Sequence, residues 1–95
     1  MAVYVIADIE ITDAVGFEAY RVGVSPTIAA HGGRYLARGG DTELLEGGWL
    51  PKRCVILEFP DMVHFRAWWA SPEYQPLREL RERSTHSKLI VTQGL

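Results

Sequence analysis

The chain has 95 residues, of which 47% are hydrophobic and 23% are charged, and its formal net charge is −2 at pH 7. These values are ordinary for a globular protein, so we expect one domain over residues 1–95. The charge argues against the basic stripe that binding to a nucleic acid requires, and no apolar run approaches the ~20 residues of a membrane span.

The first third of the chain predicts a strand followed by a helix. Alternation with a period of two, rich in β-branched side chains, predicts the strand over residues 2–12. Asp13 can cap the helix, whose apolar residues recur at helical spacing: Phe17, Tyr20, Val24 and Ile28. Because Pro26 has no backbone N–H to donate, we expect a kink or break near residues 24–25. The glycine pair at 32–33 ends the helix.

The middle of the chain predicts a hairpin. Residues 33–46 indicate a second strand with a bulge or bend at residues 39–41. A glycine-rich loop over residues 47–51 leads to a third strand over residues 53–59. Pro60 ends that strand, because it lacks the N–H that a continuing ladder needs.

The last third predicts an aromatic helix, a short further helix and a strand. Asp61 is expected to cap the aromatic helix. Its apolar stripe consists of Met62, Phe65, Trp68 and Trp69. Ser71 is expected to cap the short helix, with Pro72 at its first position. Residues 84–87 are predicted to form a turn and residues 88–92 the last strand.

This order of elements predicts an α+β, ferredoxin-like fold, β-α-β-β-α-β, with a four-stranded antiparallel sheet and both helices on one face. Right-handed crossovers would place the first strand beside the third and the fourth strand at an edge. The other face of the sheet would carry Tyr4, Ile6, Cys54 and Ile56. A monomer of this size rarely exposes such an apolar patch, so we expect a homodimer that packs two of these faces together.

Four segments resemble the domain of unknown function 1330 family: HGGRYLARGG (residues 31–40), LEGGW (45–49), ILEFPD (56–61) and AWWASPEYQPLRELR (67–81). The resemblance covers nearly the whole chain, and Trp69 departs from it where Tyr or Phe is expected. That family is similar to the dimeric α/β-barrel superfamily, in which two ferredoxin-like sheets pair into a barrel. The resemblance therefore implies the same homodimer. It implies no reaction, because the family has none assigned.

Familiar catalytic and metal motifs are absent from the sequence. The three histidines are scattered, and the glycine pairs form no phosphate loop, so we expect neither a metal nor a cofactor. No strand-turn-helix nucleophile elbow is present for a Ser-His-Asp hydrolase. Cys54, the single cysteine, excludes an internal disulfide bond and is typical of a reducing, cytoplasmic setting.

The most notable charged pair is Arg38 and Glu58. A hairpin centred near residues 48–49 would place both side chains on the bare, apolar face of the sheet. An ion pair that fixes the strand register is the expectation, because a charge in such a surface requires a partner. The alternative is a catalytic site, in which Arg38 anchors an acidic molecule and Glu58 acts as a base. His31 is a further candidate, although the helix dipole alone favours a histidine at this helix end.

Aromatic residues could form the wall of a ligand site, although at these spacings they are more often core. The expected ligand-binding residues are Tyr35, Arg38, Trp49, Glu58, Trp68 and Tyr74.

Three functions fit the sequence. The first is a dimeric barrel that binds a small acidic or aromatic metabolite, with cofactor-free oxygenase or isomerase chemistry of the kind known among superfamily relatives. The second is a non-catalytic binding or stress-related module of the same shape. The third is a dimerisation domain without a ligand. A small apolar pocket with a few convergent polar groups would favour the first two.

Overall fold

The structure, a computed structural model, describes all 95 residues. Its elements in chain order are β1 (Val3–Ile11), α1 (Ala14–Ala30), β2 (Arg34–Arg38), β3 (Cys54–Phe59), α2 (Met62–Trp69), α3 (Gln75–Ser84) and β4 (Thr85–Gln93). The strands form one antiparallel sheet in the order β2-β3-β1-β4, which confirms the ferredoxin-like α+β fold. None of the three helices has the length and apolar character that crossing a bilayer demands.

The core lies between the helices and one face of the sheet. Alternate residues of the strands point into it, as the two-residue period of β1 predicts. Its buried residues are Val3, Val5, Ala7, Ile9, Phe17, Tyr20, Val24, Ile28, Leu57, Phe59, Phe65, Trp68 and Tyr74. The rings of Trp68 and Tyr74 are among its closest aromatic contacts, with centroids 4.2 Å apart.

Two helices begin where the sequence predicts. Asp13 accepts a hydrogen bond from the backbone N–H of Gly16 at 3.2 Å, and Asp61 accepts one from that of His64 at 2.8 Å. The predicted break in α1 is wrong, because the helix continues through Pro26. Pro26 is exposed, so water can satisfy the backbone carbonyl that its ring leaves without a donor.

The second strand is shorter than predicted, and its register differs. It ends at Arg38, and residues 39–53 form an irregular connection. Tyr35 lies opposite Leu57, but the register then shifts by one residue before Ala37, so that Leu36 is the extra residue of a β-bulge. The bulge places Arg38 opposite Val55, on the side of the sheet that faces the helices.

The third helix and the last strand also differ from the prediction. α3 begins at Gln75, later than predicted. The hydroxyl of Ser71 accepts from the backbone N–H of Tyr74 at 3.3 Å, as a cap does, but the turn that it caps precedes the helix, and the same hydroxyl donates to the carbonyl of Trp68 at 2.9 Å. β4 starts at Thr85, directly after α3, so the predicted turn at 84–87 is wrong. β1 extends far enough to pair with the whole of β4, and this pairing holds residues 85–87 extended.

No helix covers the other face of the sheet, here called the bare face. Its centre is apolar: Ile6 lies opposite Ile56 on one side and opposite Ile90 on the other. Ile90 is 61% exposed. Tyr4 and Cys54 lie on the same face and are half-buried. The predicted apolar patch is therefore present.

Candidate functional site

A cavity lies between the helices and the covered face of the sheet. Its enclosed part, here called the inner cavity, has a volume of about 40 Å³. A wider opening of about 410 Å³, here called the outer cavity, is lined by α1 and by the ends of β1, β2 and β3. The two are adjacent, since they share four lining residues: Phe17, Arg21, Arg38 and Arg53.

The inner cavity has apolar walls and only cationic charged groups. Thirteen of its 17 lining residues are hydrophobic, and the other four are Arg21, Arg38, Arg53 and Arg81. No Asp, Glu or His lines it. Arg21 forms an ion pair with Glu18 at 2.6 Å, whereas the other three arginines form no ion pair. Four of the ten basic residues of an acidic chain thus meet at one apolar cavity.

Two of these arginines are positioned by the hairpin. The β-bulge turns Arg38 towards the helices, where its guanidinium lies 4.8 Å from the centre of the Tyr35 ring. The guanidinium of Arg53 lies 5.4 Å from the centre of the Phe17 ring. Arg53 packs against Gly39, whose φ of +75° and missing side chain both suit glycine, since a Cβ there would clash with the guanidinium.

Arg81 is the deepest charged group in the protein. It is only 5% exposed, and its Nε has no hydrogen-bond partner. The Nε of Arg53 is unpartnered in the same way. Burial of an unpaired charge is unfavourable, and no carboxylate of the chain pairs with Arg81 or with the half-buried Arg53.

Two tyrosines face the same cavity. The hydroxyl groups of Tyr20 and Tyr74 lie 3.5 Å apart. Burial raises the pKa of Tyr20 well above its usual value, the neighbouring Tyr74 raises it further, and the charge of Arg81 opposes both effects only in part. Tyr20 is therefore a neutral phenol at physiological pH and can donate a hydrogen bond.

Four of the predicted site residues line the inner cavity: Tyr35, Arg38, Trp68 and Tyr74. Trp68 also belongs to the core, because it is 1% exposed and its indole N–H donates to the hydroxyl of Thr27 at 3.1 Å. Trp49 lies away from this cavity and donates its indole N–H to Asp8 at 2.9 Å. That hydrogen bond is the main cause of a lowered pKa of Asp8, and the backbone N–H of Lys52 contributes to it.

The predicted pairing of Arg38 with Glu58 is wrong. Glu58 lies opposite Arg34 on the bare face and accepts a hydrogen bond from its Nε at 2.7 Å. The bulge places Arg38 on the other face, so the sheet separates the two side chains. His31 is also outside the cavity, where its Nδ1 donates to the carbonyl of Thr27 at 3.0 Å and stabilises the end of α1.

The sequence prediction missed the residues that give the cavity its charge: Arg21, Arg53 and Arg81, with Phe17 and Tyr20 beside them. One signal was available in α3. Tyr74, Arg81 and Ser84 are all buried and recur at helical spacing, so Arg81 occupies a position where an apolar residue is expected. A charge on the buried stripe of a helix indicates a functional site.

This arrangement can bind an organic anion and stabilise negative charge on it. The aromatic and aliphatic walls suit a ring, and guanidinium groups suit carboxylate or oxyanion groups. The inner cavity offers no general base, since its only titratable groups other than arginine are tyrosines. At the outer cavity, the one carboxylate is Glu18, and its hydrogen bond from Arg21 lowers the pKa. A lowered pKa makes Glu18 a weak base.

Comparison with known proteins agrees with this fold. The family model described as Domain of unknown function (DUF1330) matches residues 2–95, which confirms the resemblance seen in the sequence. No curated protein sequence matches the chain.

Several solved structures are similar to it. A protein of unknown function from Rhodopseudomonas palustris has a TM-score of 0.83 at 19% identity, over 99% of this chain and 82% of that one. SnoaB, a cofactor-independent oxygenase from Streptomyces nogalater, has a TM-score of 0.68 at 15% identity, over 99% and 93%. A dimeric ferredoxin-like protein of unknown function from Thermobifida fusca has a TM-score of 0.68 at 18% identity, over 99% and 92%. At these identities the similarity shows the fold alone.

Proposed function

We propose that this chain, which belongs to the DUF1330 family, binds a small acidic aromatic metabolite in the cavity between its helices and its sheet. One observation carries the proposal: an apolar cavity receives four arginines and no acidic side chain. A ligand with a ring and an acidic group fits this site, because the ring can pack against Phe17 in the outer cavity while the acid pairs with the guanidinium groups.

Electrostatics favours such a ligand. Arg38, Arg53 and Arg81 carry like charges around one cavity and have no carboxylate partner within the chain. Hydrogen bonds to charged groups contribute about 1.5–3 kcal/mol each. An anionic ligand would gain this energy and remove the repulsion between the arginines at the same time.

The reaction that the site supports best is oxygenation without a cofactor. Guanidinium groups favour the ionised form of a phenol or enol, and such an oxyanion gives electrons to O₂ more readily than the neutral molecule. Water takes the proton that the phenol or enol loses. A substrate carbon then forms a bond to O₂, the substrate loses two electrons as O₂ is reduced to the peroxide level, and water returns the proton to give a hydroperoxide. SnoaB, of the same fold, is described as a cofactor-independent oxygenase. An isomerase is less well supported, because moving a proton requires a base.

The proposed assembly is a homodimer through the bare face. A strip of Ile6, Ile56 and Ile90 along the centre of an uncovered sheet is what a second sheet would bury. The Thermobifida fusca protein of this fold is described as dimeric. Ile6→Asp should then shift the mass in light scattering from dimer to monomer, and a monomeric wild type at micromolar concentration would refute the assembly.

We also propose that this single-domain protein resides in the reducing cytoplasm, because its one cysteine is unpaired.

Binding of 1-hydroxy-2-naphthoate by calorimetry tests the proposed function. Arg38→Met and Arg53→Met should each weaken binding about 10- to 100-fold, since each removes a charged hydrogen-bond donor. Arg83→Met is the matched control, because Arg83 is exposed and lies outside the cavity, and 1-naphthol, which lacks only the carboxylate, is the matched neutral ligand. Equal binding of the acid by all four proteins, or equal binding of acid and naphthol, would contradict the proposal.

Oxygen consumption separates catalysis from binding alone. An oxygen electrode should record uptake with an acidic phenol that binds, and Arg53→Met should reduce it. Binding without uptake across a series of phenols would instead support the non-catalytic binding module.

A further inference from the structure

We infer that the inner cavity is a carboxylate subsite, so that the natural ligand carries a carboxylate at its buried end and a second acidic group at its outer end. This inference rests on the proposed function, because it assigns the ends of the ligand that the cavity binds.

The first argument is the state of Arg81. The residue is only 5% exposed, its Nε is unpartnered, and it forms no ion pair. A structural arginine at such depth would normally be held by a carboxylate of the chain. Because no carboxylate of the chain pairs with Arg81, a bound anion would supply the missing partner.

The second argument is size. A volume of about 40 Å³ holds about one to three water molecules, which is the space of a carboxylate and too little for an aromatic ring. The outer cavity, at about 410 Å³, is within the usual range for a small ligand. The ring of the ligand therefore belongs in the outer cavity, and only a small terminal group reaches Arg81.

The third argument is the polarity of the inner cavity. Apart from the guanidinium groups of its four arginines, the side-chain polar groups there are the hydroxyls of Tyr20, Tyr35 and Tyr74 and the indole N–H of Trp68, which already donates to Thr27. The hydroxyls of Tyr20 and Tyr74 pair only with each other, at a long 3.5 Å. A guanidinium and two phenols can all donate to one carboxylate, whereas an amine would find no acidic partner.

The outer end of the ligand meets a second set of cations. Arg38 and Arg53 line both cavities, and each lies over an aromatic ring. A diacid, or a phenol that also carries a carboxylate, supplies one acidic group for the inner cavity and one for the outer cavity.

Matched pairs of aromatic acids test the subsite by calorimetry. The probes are naphthalene-2,6-dicarboxylate against 2-naphthoate and benzene-1,4-dicarboxylate against benzoate, with formate as the small free anion. In the wild type at least one diacid should bind 10-fold or more tightly than its monoacid. Arg81→Met should abolish that preference, and the control Arg83→Met should keep it. Tyr20→Phe should reduce it several-fold, because the ring stays and one donor is lost.

Thermal melting of the ligand-free proteins provides the second measurement. Removal of an unpaired buried charge should raise the melting temperature of Arg81→Met by about 4 °C or more. A lower melting temperature would show that Arg81 has a structural role, and would overturn the inference.

The outcomes separate the two proposals. A diacid preference that survives Arg81→Met, or is absent from the wild type while binding still needs Arg38 and Arg53, overturns the subsite alone. Formate that binds the wild type as tightly as the best diacid also overturns the subsite, since the inner cavity would then bind a free anion. No binding of any probe to the wild type contradicts the proposed function as well.

Discussion

Trp68→Ala should destabilise the protein by about 3–5 kcal/mol, the usual effect of removing a large buried aromatic side chain. Trp68 is fully enclosed, with its ring centre 5.3 Å from that of Phe59 and 4.2 Å from that of Tyr74. The change also removes the indole donor to Thr27, whose net contribution is about 0.5–1.5 kcal/mol within that total. Domains of this kind have only ~5–15 kcal/mol of stability, so the loss is a large part of the whole.

Urea unfolding followed by circular dichroism measures this loss at a fixed protomer concentration, since dissociation would otherwise contribute. Trp68→Phe separates packing from the hydrogen bond, because it keeps a ring and loses the donor. Trp49→Ala is the matched control: Trp49 is 58% exposed, so its removal should change the unfolding free energy by less than about 1 kcal/mol. A loss below 1 kcal/mol for Trp68→Ala would show an indole in an open pocket, and would refute the placement of this residue in the core.

Two further predictions concern the bare face and the connection before β3. A double-mutant cycle on Arg34 and Glu58 should give a coupling of about 0.2–1 kcal/mol, as exposed ion pairs do, whereas Arg38 and Glu58 should give none. Coupling of Glu58 to Arg38 and not to Arg34 would instead support a strand register without the bulge. The pKa of Asp8 is lowered in the folded protein. The Asp8 carboxylate therefore still accepts the hydrogen bond from Trp49 at the usual aspartate pKa of about 4, and loses it as the pH falls through the lower folded pKa. Trp49 emission should change in that acidic range in the wild type but not in Asp8→Asn, and equal titrations would contradict the assignment.

The sequence predicts the fold well because its elements carry strong local signals. The alternation in β1 and the carboxylates of Asp13 and Asp61 act within a few residues, so a single sequence is enough to read them. The bulge at Leu36 has no such signal, since one inserted residue leaves the apolar pattern of a five-residue strand almost unchanged. That one residue decides on which face of the sheet Arg38 lies.

The site is harder to predict for the same physical reason. Tyr35 and Tyr74 were expected at a ligand wall because aromatic residues commonly line pockets. Arg53 and Arg81 were not, because charged residues usually lie at the surface and only tertiary packing shows that they converge. Gly39 adds a further condition that only the structure reveals, namely that the backbone must leave room for the guanidinium of Arg53.

A crystal structure of the protein with 1-hydroxy-2-naphthoate tests the central claim most directly. We expect the ring in the outer cavity against Phe17, with its carboxylate about 2.7–3.2 Å from the guanidinium nitrogens of Arg38, Arg53 or Arg81. Density for the acid on the bare face instead, or an empty cavity at saturating ligand concentration, would contradict the assignment of this cavity as the binding site.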